Sequence, residues 1–493
     1  MSLLMRTVAV SFNAYVAGKI GAEGMGLYSL IASVYTFSVT FATSGVSLAV
    51  TRLVAESLGQ GDGAGARGAV RRCTLYAIAF GGAATVLLFS LSEPIGRYLL
   101  GDARTVLSLR ALSLSMLPIA LSSVYSGYFT AVRRVSRSAA AGVFEQAVKI
   151  GVTVHALTLL LPDGLEYACL ALVGGGMIAE IASFIFIYVC YLFDRKRISG
   201  ARSEDASTCT RKLLGIALPV AASSYVRSGL VTVEHMLIPY CLALGGASRG
   251  GALASYGILH SMALPIVLYP SAAIGSFSGL LIPELAECRA RGEDRRIRYI
   301  SERAITFALV FSIGTAGIMI AFSKLLGENI YGSAEAGRYI GMLAALIPIM
   351  YLDTTVDSIL KGLGQQVYTM GVNITDSFLC VLLVLALLPH FGADGYVAVI
   401  YISEIINFSF SVIRLYNTVG FRLDLIRFVL LPLAAVIFSV SAANFVLPGG
   451  DAVATVAKIT VSAGIYLLIL FLLGGFDRDD RRWMRGIVSR AGA

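Results

Sequence analysis

The residues of this chain that could do chemistry are charges set where charges are costly. Glu145 and Lys149 stand one helical turn apart in a long apolar run, Arg227 and Glu234 stand two turns apart in another, and Asp353, Asp357 and Lys361 follow at successive fours in a third. On a helix each of these spacings puts its set on one face. An ionised side chain at mid-membrane costs about 2.5–3.5 kcal/mol on insertion scales unless it meets a partner or water, so each of the three helices must turn a polar stripe away from lipid. Such stripes can hold a charged cargo or pass a proton, and they can also simply neutralise one another. Glu145 with Lys149 reads equally as a self-neutralised pair holding helices together, and Asp353, Asp357 and Lys361 as a structural ladder in which Lys361 marks a cytoplasmic helix end. Arg227 lies about 14 residues, or roughly 21 Å, into its helix, too deep for an easy snorkel. Glu180, Asp376 and Glu404 are further acids in apolar runs.

Enzyme chemistry finds no footing. The run GQGDGAG at 59–65 lacks the Gly-Lys-Ser/Thr that cradles phosphate and reads as a loop. His155, His235, His260 and His390 have no carboxylate or cysteine at ligand spacing, so no metal site is expected. Cys73, Cys169, Cys190, Cys209, Cys241, Cys288 and Cys380 show no CxxC pairing and read as small packing residues in or beside apolar runs. With no ATP motif and no cofactor implied, work must be drawn from an ion gradient (H+ or Na+) or from the membrane potential.

The elements that must position these charges are membrane helices. A chain of 493 residues that is 57% hydrophobic and 14% charged, with a mean hydropathy of +0.79, cannot hide its apolar surface in a soluble fold. Apolar spans lie near 27–50, 73–92, 107–131, 138–161, 165–193, 213–241, 253–282, 303–323, 339–360, 367–389, 394–417, 426–447 and 453–474. The first segment, between Arg6 and Lys19, offers only about 12 residues, roughly 18 Å of helix, and reads as the remnant of a longer helix or as a late start. Counted with it, the expectation is an all-α polytopic protein of fourteen crossings. A net charge of +9 does not point to nucleic acid, because the basic residues cluster between spans. On the alternation of fourteen crossings, 28 of the 39 Lys and Arg fall on one face and 8 on the other. That bias assigns the first face, and both termini, to the cytoplasm of a plasma membrane.

The chain also repeats itself. At a constant offset of 231 residues, Ala55, Glu56, Gly61 and Arg72 meet Ala286, Glu287, Gly292 and Arg303. Six crossings, an even number, separate the copies, so both enter the membrane in the same sense. The expected division is an N-terminal six-helix lobe at 1–210, a second at 211–420, and two extra helices with a basic tail at 421–493, the lobes joined by the charged linker from Asp194 to Lys212. The Arg-rich segments 52–72 and 284–303 are expected as short amphipathic helices on the inner surface, facing anionic lipid.

KIGAEGMGLY from Lys19 to Tyr28, GVSLAVTRLVAE from Gly45 to Glu56, the Gly127–Lys149 stretch ending in EQAVK, and LLIPELAE from Leu280 to Glu287 together resemble the polysaccharide-transporter and stage V sporulation protein B branch of the multidrug/oligosaccharidyl-lipid/polysaccharide exporter superfamily. The resemblance covers nearly the whole chain. It implies a two-lobed, fourteen-helix transporter with a central cavity, whose relatives flip undecaprenyl-pyrophosphate-linked sugars and lipid-linked peptidoglycan precursor. By the family pattern Lys19 closes the first helix as a basic residue and Lys149 follows the Glu-Gln pair. The chain departs from the pattern in its short first helix and in Glu234, where an Asp is expected. The implied function is a non-enzymatic flippase carrying an anionic lipid-linked saccharide outward. Lys19, Lys149 and Arg227 would bind the pyrophosphate, and Glu145 and Glu234 would hold those cations in the empty cavity. Two other readings stand beside it. One is a cation-coupled multidrug exporter using Glu234, Asp353 and Asp357; the other is a non-transporting membrane scaffold for envelope or spore-coat assembly.

Overall fold

Left-handed residues, most of them glycine, end several helices of this chain, and they do so twice over at the same spacing. The computed structural model describes residues 2–195, 206–420 and 426–473. The middle of the expected linker and the basic tail from 474 onward lie outside the described residues. In chain order the α-helices are α1 (Ser2–Thr43), α2 (Val46–Gly59), α3 (Gly63–Pro94), α4 (Val106–Ser113), α5 (Met116–Ala131), α6 (Val135–Leu160), α7 (Leu165–Asp194), α8 (Ala206–Leu244) and α9 (Arg249–Tyr256). They continue as α10 (Leu264–Leu268), α11 (Ser271–Ala290), α12 (Asp294–Tyr331), α13 (Ala334–Ala344), α14 (Ile347–Gly362), α15 (Gln366–Val419), α16 (Leu431–Val446) and α17 (Ala452–Leu472). No strand occurs among the described residues, and the chain is an all-α polytopic membrane protein.

The 231-residue offset recurs in these boundaries. α2 and α11 end, α3 and α12 begin, α5 and α14 begin and end, and α6 and α15 begin at positions that differ by that number. The left-handed residues match as well: Gly61 (φ 72°) with Gly292 (φ 69°), Gly101 (φ 64°) with Gly332 (φ 63°), and Arg133 (φ 57°) with Gly364 (φ 69°). A residue at positive φ just past a helix lets the chain turn back while its amide reaches the last carbonyls, and only glycine does this without a Cβ penalty. The bends match too, 44° between α4 and α5 and 52° between α13 and α14.

By packing, the chain forms two compact units, Leu27–Leu237, and Met1–Gly26 with Ile238–Ala493. These limits fall inside α1 and α8. The lobe limits at 210 and 420, drawn from the repeat, remain a proposal. In the first unit α2, α3 and α5 pack together and α6 packs on α7. In the second, α11 and α12 pack on α14, and α16 and α17 cover α12. There the ring of Tyr466 and the side chain of Val436 fill the space left by Gly314 and Gly317, and the Tyr466 hydroxyl donates to the Val310 carbonyl at 2.6 Å. The amino-terminal arm belongs to this unit because small residues admit it. A Cβ on Gly26 would stand 1.9 Å from the Leu253 carbonyl oxygen, and one on Gly257 would stand 2.3 Å from that of Ala22.

Two expectations are corrected, and the count of crossings stays open. By length and composition ten helices among the described residues can cross a membrane, or twelve if each bent pair is one span, which does not confirm fourteen. Two of the ten hold a residue off the helical backbone, Gly21 in α1 and Gly392 in α15; dividing each there would restore fourteen segments, a count that stays a proposal. The first segment is not confined between Arg6 and Lys19, because helix runs through both from Ser2 to the break at Gly21. That arm is still shorter than the 39-residue α8. The Arg-rich segments are not separate surface helices. They are the adjoining ends of α2 with α3 and of α11 with α12, since one left-handed glycine suffices to turn the chain and Asp62 caps α3 by accepting from the Gly65 amide at 2.7 Å.

Arg133 is exposed and holds by strain the conformation that Gly364 holds freely in the other copy. A left-handed residue with a Cβ costs roughly 1–2 kcal/mol, against about 0.5–1 kcal/mol for the extra chain entropy of glycine. Arg133→Gly is therefore expected to stabilise the protein by about 0.5–1 kcal/mol, read as a higher thermal midpoint in detergent. A lower midpoint would show that the arginine side chain contributes more than its backbone costs.

Candidate functional site

In the Leu27–Leu237 unit the polar site is built by a close crossing of α6 and α7. α7 carries Gly174, Gly175 and Gly176 in succession, and a Cβ on Gly175 would meet Thr153 of α6 at 2.0 Å. Without side chains at that point the two antiparallel helices touch. One turn further toward the α6 start lies Lys149, and about one turn further along α7 lies Glu180. The Tyr35 hydroxyl of α1 donates to Glu180 Oε1, while Oε2 is buried without a partner. Glu145 and Lys149 stand within electrostatic reach of this carboxylate. They do not, however, form an ion pair with each other, and neither has one elsewhere among the described residues. The four-residue spacing allows that pair but does not compel it, because both side chains are only half-buried.

α8 packs on the second part of α1, with Thr232 donating to the Ser33 carbonyl at 3.2 Å and Gly229 beside Phe37. It leaves Arg227 exposed and Glu234 half-buried. Arg227 makes no ion pair among the described residues, with Glu234 or with any other acid. At the far end of α7, Asp194 is 3% exposed. It accepts from Tyr128 at 3.0 Å, from Arg134 and from Arg137 at 3.1 Å, which ties the α5–α6 turn to the α7 terminus.

In the other unit α14 and α15 carry an acidic constellation. Lys361 pairs with Asp357 at 3.1 Å, and Asn407 donates to Asp353 Oδ2 at 3.1 Å. Ser403 donates to Asp376, and the Cys380 thiol lies 3.1 Å from the Ser403 hydroxyl. Glu404 stands within electrostatic reach of Asp353 and Asp376. Asp353, Asp357 and Lys361 therefore share one face, as their spacing requires, but only the last two are paired. Lys19, on the first arm of α1, is exposed, with its ammonium 5.8 Å from the Tyr15 ring centre. No cluster of three or more metal-ligating side chains occurs among the described residues.

Sequence reasoning placed the acids and missed the neutral groups that hold them. Tyr35, Ser403 and Asn407 are uncharged residues in apolar runs, and nothing in their spacing distinguishes them from packing residues. Arg6 was countable but had no role; its guanidinium donates to the Leu268 carbonyl at 2.5 Å and to Ser271 Oγ at 2.9 Å.

Residues 1–289 match the profile of a family described as polysaccharide biosynthesis protein. The chain is 24% identical over 482 residues to stage V sporulation protein B of Bacillus subtilis (strain 168), across 95% of this chain and 92% of that protein. It is 22% identical over 511 residues to lipid II flippase MurJ of the same organism, across 96% and 93%. The solved structure of a lipid II flippase MurJ in an inward closed conformation superposes with a TM-score of 0.73 at 14% identity, covering 96% of this chain and 97% of that one, a likeness of fold.

Tyr35→Phe is expected to cost about 1–3 kcal/mol, since it leaves a buried carboxyl without its donor. The double variant Tyr35→Phe with Glu180→Leu should recover most of that loss, because removing both partners removes the unmet need. Additive losses in thermal unfolding would show that the contact is incidental.

Proposed function

The chain belongs to the polysaccharide biosynthesis protein family, and from that membership we propose that it is a flippase. It would move an anionic lipid-linked oligosaccharide or peptidoglycan precursor from the inner to the outer leaflet by alternating access, in cell-envelope or spore-wall synthesis. One observation carries the sign of the cargo. Among the eight candidate residues, the cations Lys19, Lys149 and Arg227 stand outside any ion pair among the described residues, as does the acid Glu145, whereas Asp357 is paired with Lys361 and one oxygen of Asp353 is bonded by Asn407. Three such cations support an anionic ligand. The names of the relatives support the class: one is a lipid II flippase, and none of those cited is named as an enzyme.

Energetics support it as well. A pyrophosphate carries about two negative charges, and each is worth roughly 2.3 kcal/mol per 100 mV, so an inside-negative potential near 150 mV favours outward passage by about 7 kcal/mol. The protein need only lower the barrier, by offering cations to the headgroup while the lipid tail stays in the bilayer. Arginine suits this because its planar fork grips phosphate oxygens in pairs and stays charged. Arg227→Ala is expected to cut outward movement of a fluorescent lipid-pyrophosphate saccharide in vesicles by on the order of tenfold or more, with Arg227→Lys recovering part. Asp353→Asn should be tolerated. A cation exporter would give the reverse pattern. Transport indifferent to both Arg227→Ala and an imposed potential would sink the anion mechanism.

The orientation, with both termini in the cytoplasm, rests on the basic-residue bias. In a cysteine-free background, single cysteines at the exposed positions Ala290, Ala247 and Ala334 test it with an impermeant thiol reagent. Ala290 should label only from the cytoplasmic side and the other two only from outside; the opposite pattern inverts the assignment.

A further inference from the structure

We propose that the face bearing the Arg-rich turns contains a built site for the phosphate headgroup of an anionic membrane lipid, apart from the residues assigned to transport. In the Leu27–Leu237 unit a cavity of about 530 Å³ opens between the first turns of α3 and the end of α7. Arg67, Arg71 and Arg195 line it with Tyr125, Tyr188 and Tyr191, and no carboxylate is among its described lining residues. Arginines gathered on one cavity suit an oxyanion, which the planar fork holds through paired hydrogen bonds. Arg71 is exposed and makes no ion pair among the described residues. The wall is packed: the Tyr125 ring centre lies 5.3 Å from that of Tyr188 and 4.9 Å from that of Tyr191.

The position selects lipid over free phosphate. α3, at 32 residues, is about 48 Å long against a hydrocarbon core of about 30 Å, so it outruns the core, and Arg67, Arg71 and Arg72 mark its first turns as the end that does so. The same cavity is lined by Leu75, 60% exposed, and from Leu75 the outward face of α3 stays apolar through Ile78 and Val86. Arginine and tyrosine at the rim of such a face are the residues of a membrane interface. A headgroup in the cavity would therefore leave its acyl chains along that face.

The other copy repeats the arrangement. Arg298 stands 231 residues after Arg67 and, with Arg289 and Arg295, lines a cavity of about 560 Å³ that is also lined by Thr418 and Val419 at the end of α15. That site is weaker in charge. Asp294 lines it too, and Arg298 Nε is committed to the Val419 carbonyl at 3.1 Å.

The test is thermal unfolding of the full chain in mild detergent with added short-chain phosphatidylglycerol, short-chain phosphatidylcholine or inorganic phosphate. Phosphatidylglycerol should raise the midpoint by several degrees and the other two should not. Arg71→Ala should weaken its apparent binding on the order of tenfold, and Arg71→Lys should keep part. Should Arg71→Ala fail to fold, Arg71→Gln carries the same comparison with the side-chain length kept. An unchanged response in these variants, or an equal response to phosphatidylcholine, overturns the site. Inorganic phosphate reproducing the whole shift overturns the lipid as its ligand.

Discussion

Every place where this chain stops being helical inside its apolar spans has to find a donor for the carbonyls it exposes, because the bilayer supplies no water to do so. The break at Pro270 shows how that is met. With no amide on the proline, the preceding turn is left with open carbonyls. The Tyr351 hydroxyl donates to Val267 at 2.8 Å, and Arg6 donates to Leu268 at 2.5 Å. At the α1–α2 junction, where Ser44 sits at positive φ, the Tyr76 hydroxyl donates to its carbonyl at 3.2 Å. Near the α13–α14 bend Tyr401 donates to the Met342 carbonyl at 2.5 Å. Long side chains from neighbouring helices thus make the bends affordable, and the bends in turn set which faces of the helices carry the charged residues.

The same constraint explains what could be read in the sequence. Charges in apolar runs were legible because their cost is large at mid-membrane, and the repeat was legible because the left-handed turn demands glycine at Gly61 and Gly292 alike. The number of crossings was not settled by a helix count, since a single glycine at position 21 or 392 turns the backbone without interrupting the apolar pattern. The surface helices expected at 52–72 and 284–303 failed for a related reason: amphipathic composition there reflects helix ends emerging from the membrane, not separate elements. Tyr35, Ser403 and Asn407 could not be found at all. Their part in holding Glu180, Asp376 and Asp353 depends on which helices meet, and that is decided by small residues such as Gly175 whose effect appears only in packing.

The two copies have kept their geometry and let their charges diverge, and the divergence bears on which copy would meet the proposed anionic cargo. At the shared offset Glu145 of α6 corresponds to Asp376 of α15, and Lys149 to Cys380. An acid persists in both; the cation persists in one. In the second copy the acid is held by Ser403, with the thiol of Cys380 beside that same hydroxyl at 3.1 Å, a neutral network that leaves no basic group on that face of the helix. In the first, Glu145 and Lys149 remain unpaired near a Glu180 that already has Tyr35 as its donor. A lysine whose acid neighbours are one already bonded and one free to follow it can turn to a phosphate without stranding a buried carboxylate. The equivalent helix of the second copy has no such cation to turn. Lys149 of α6 is thus the cation that separates the two copies, whereas Arg227 of α8 falls in the second copy by the 231-residue offset although it packs within the Leu27–Leu237 unit.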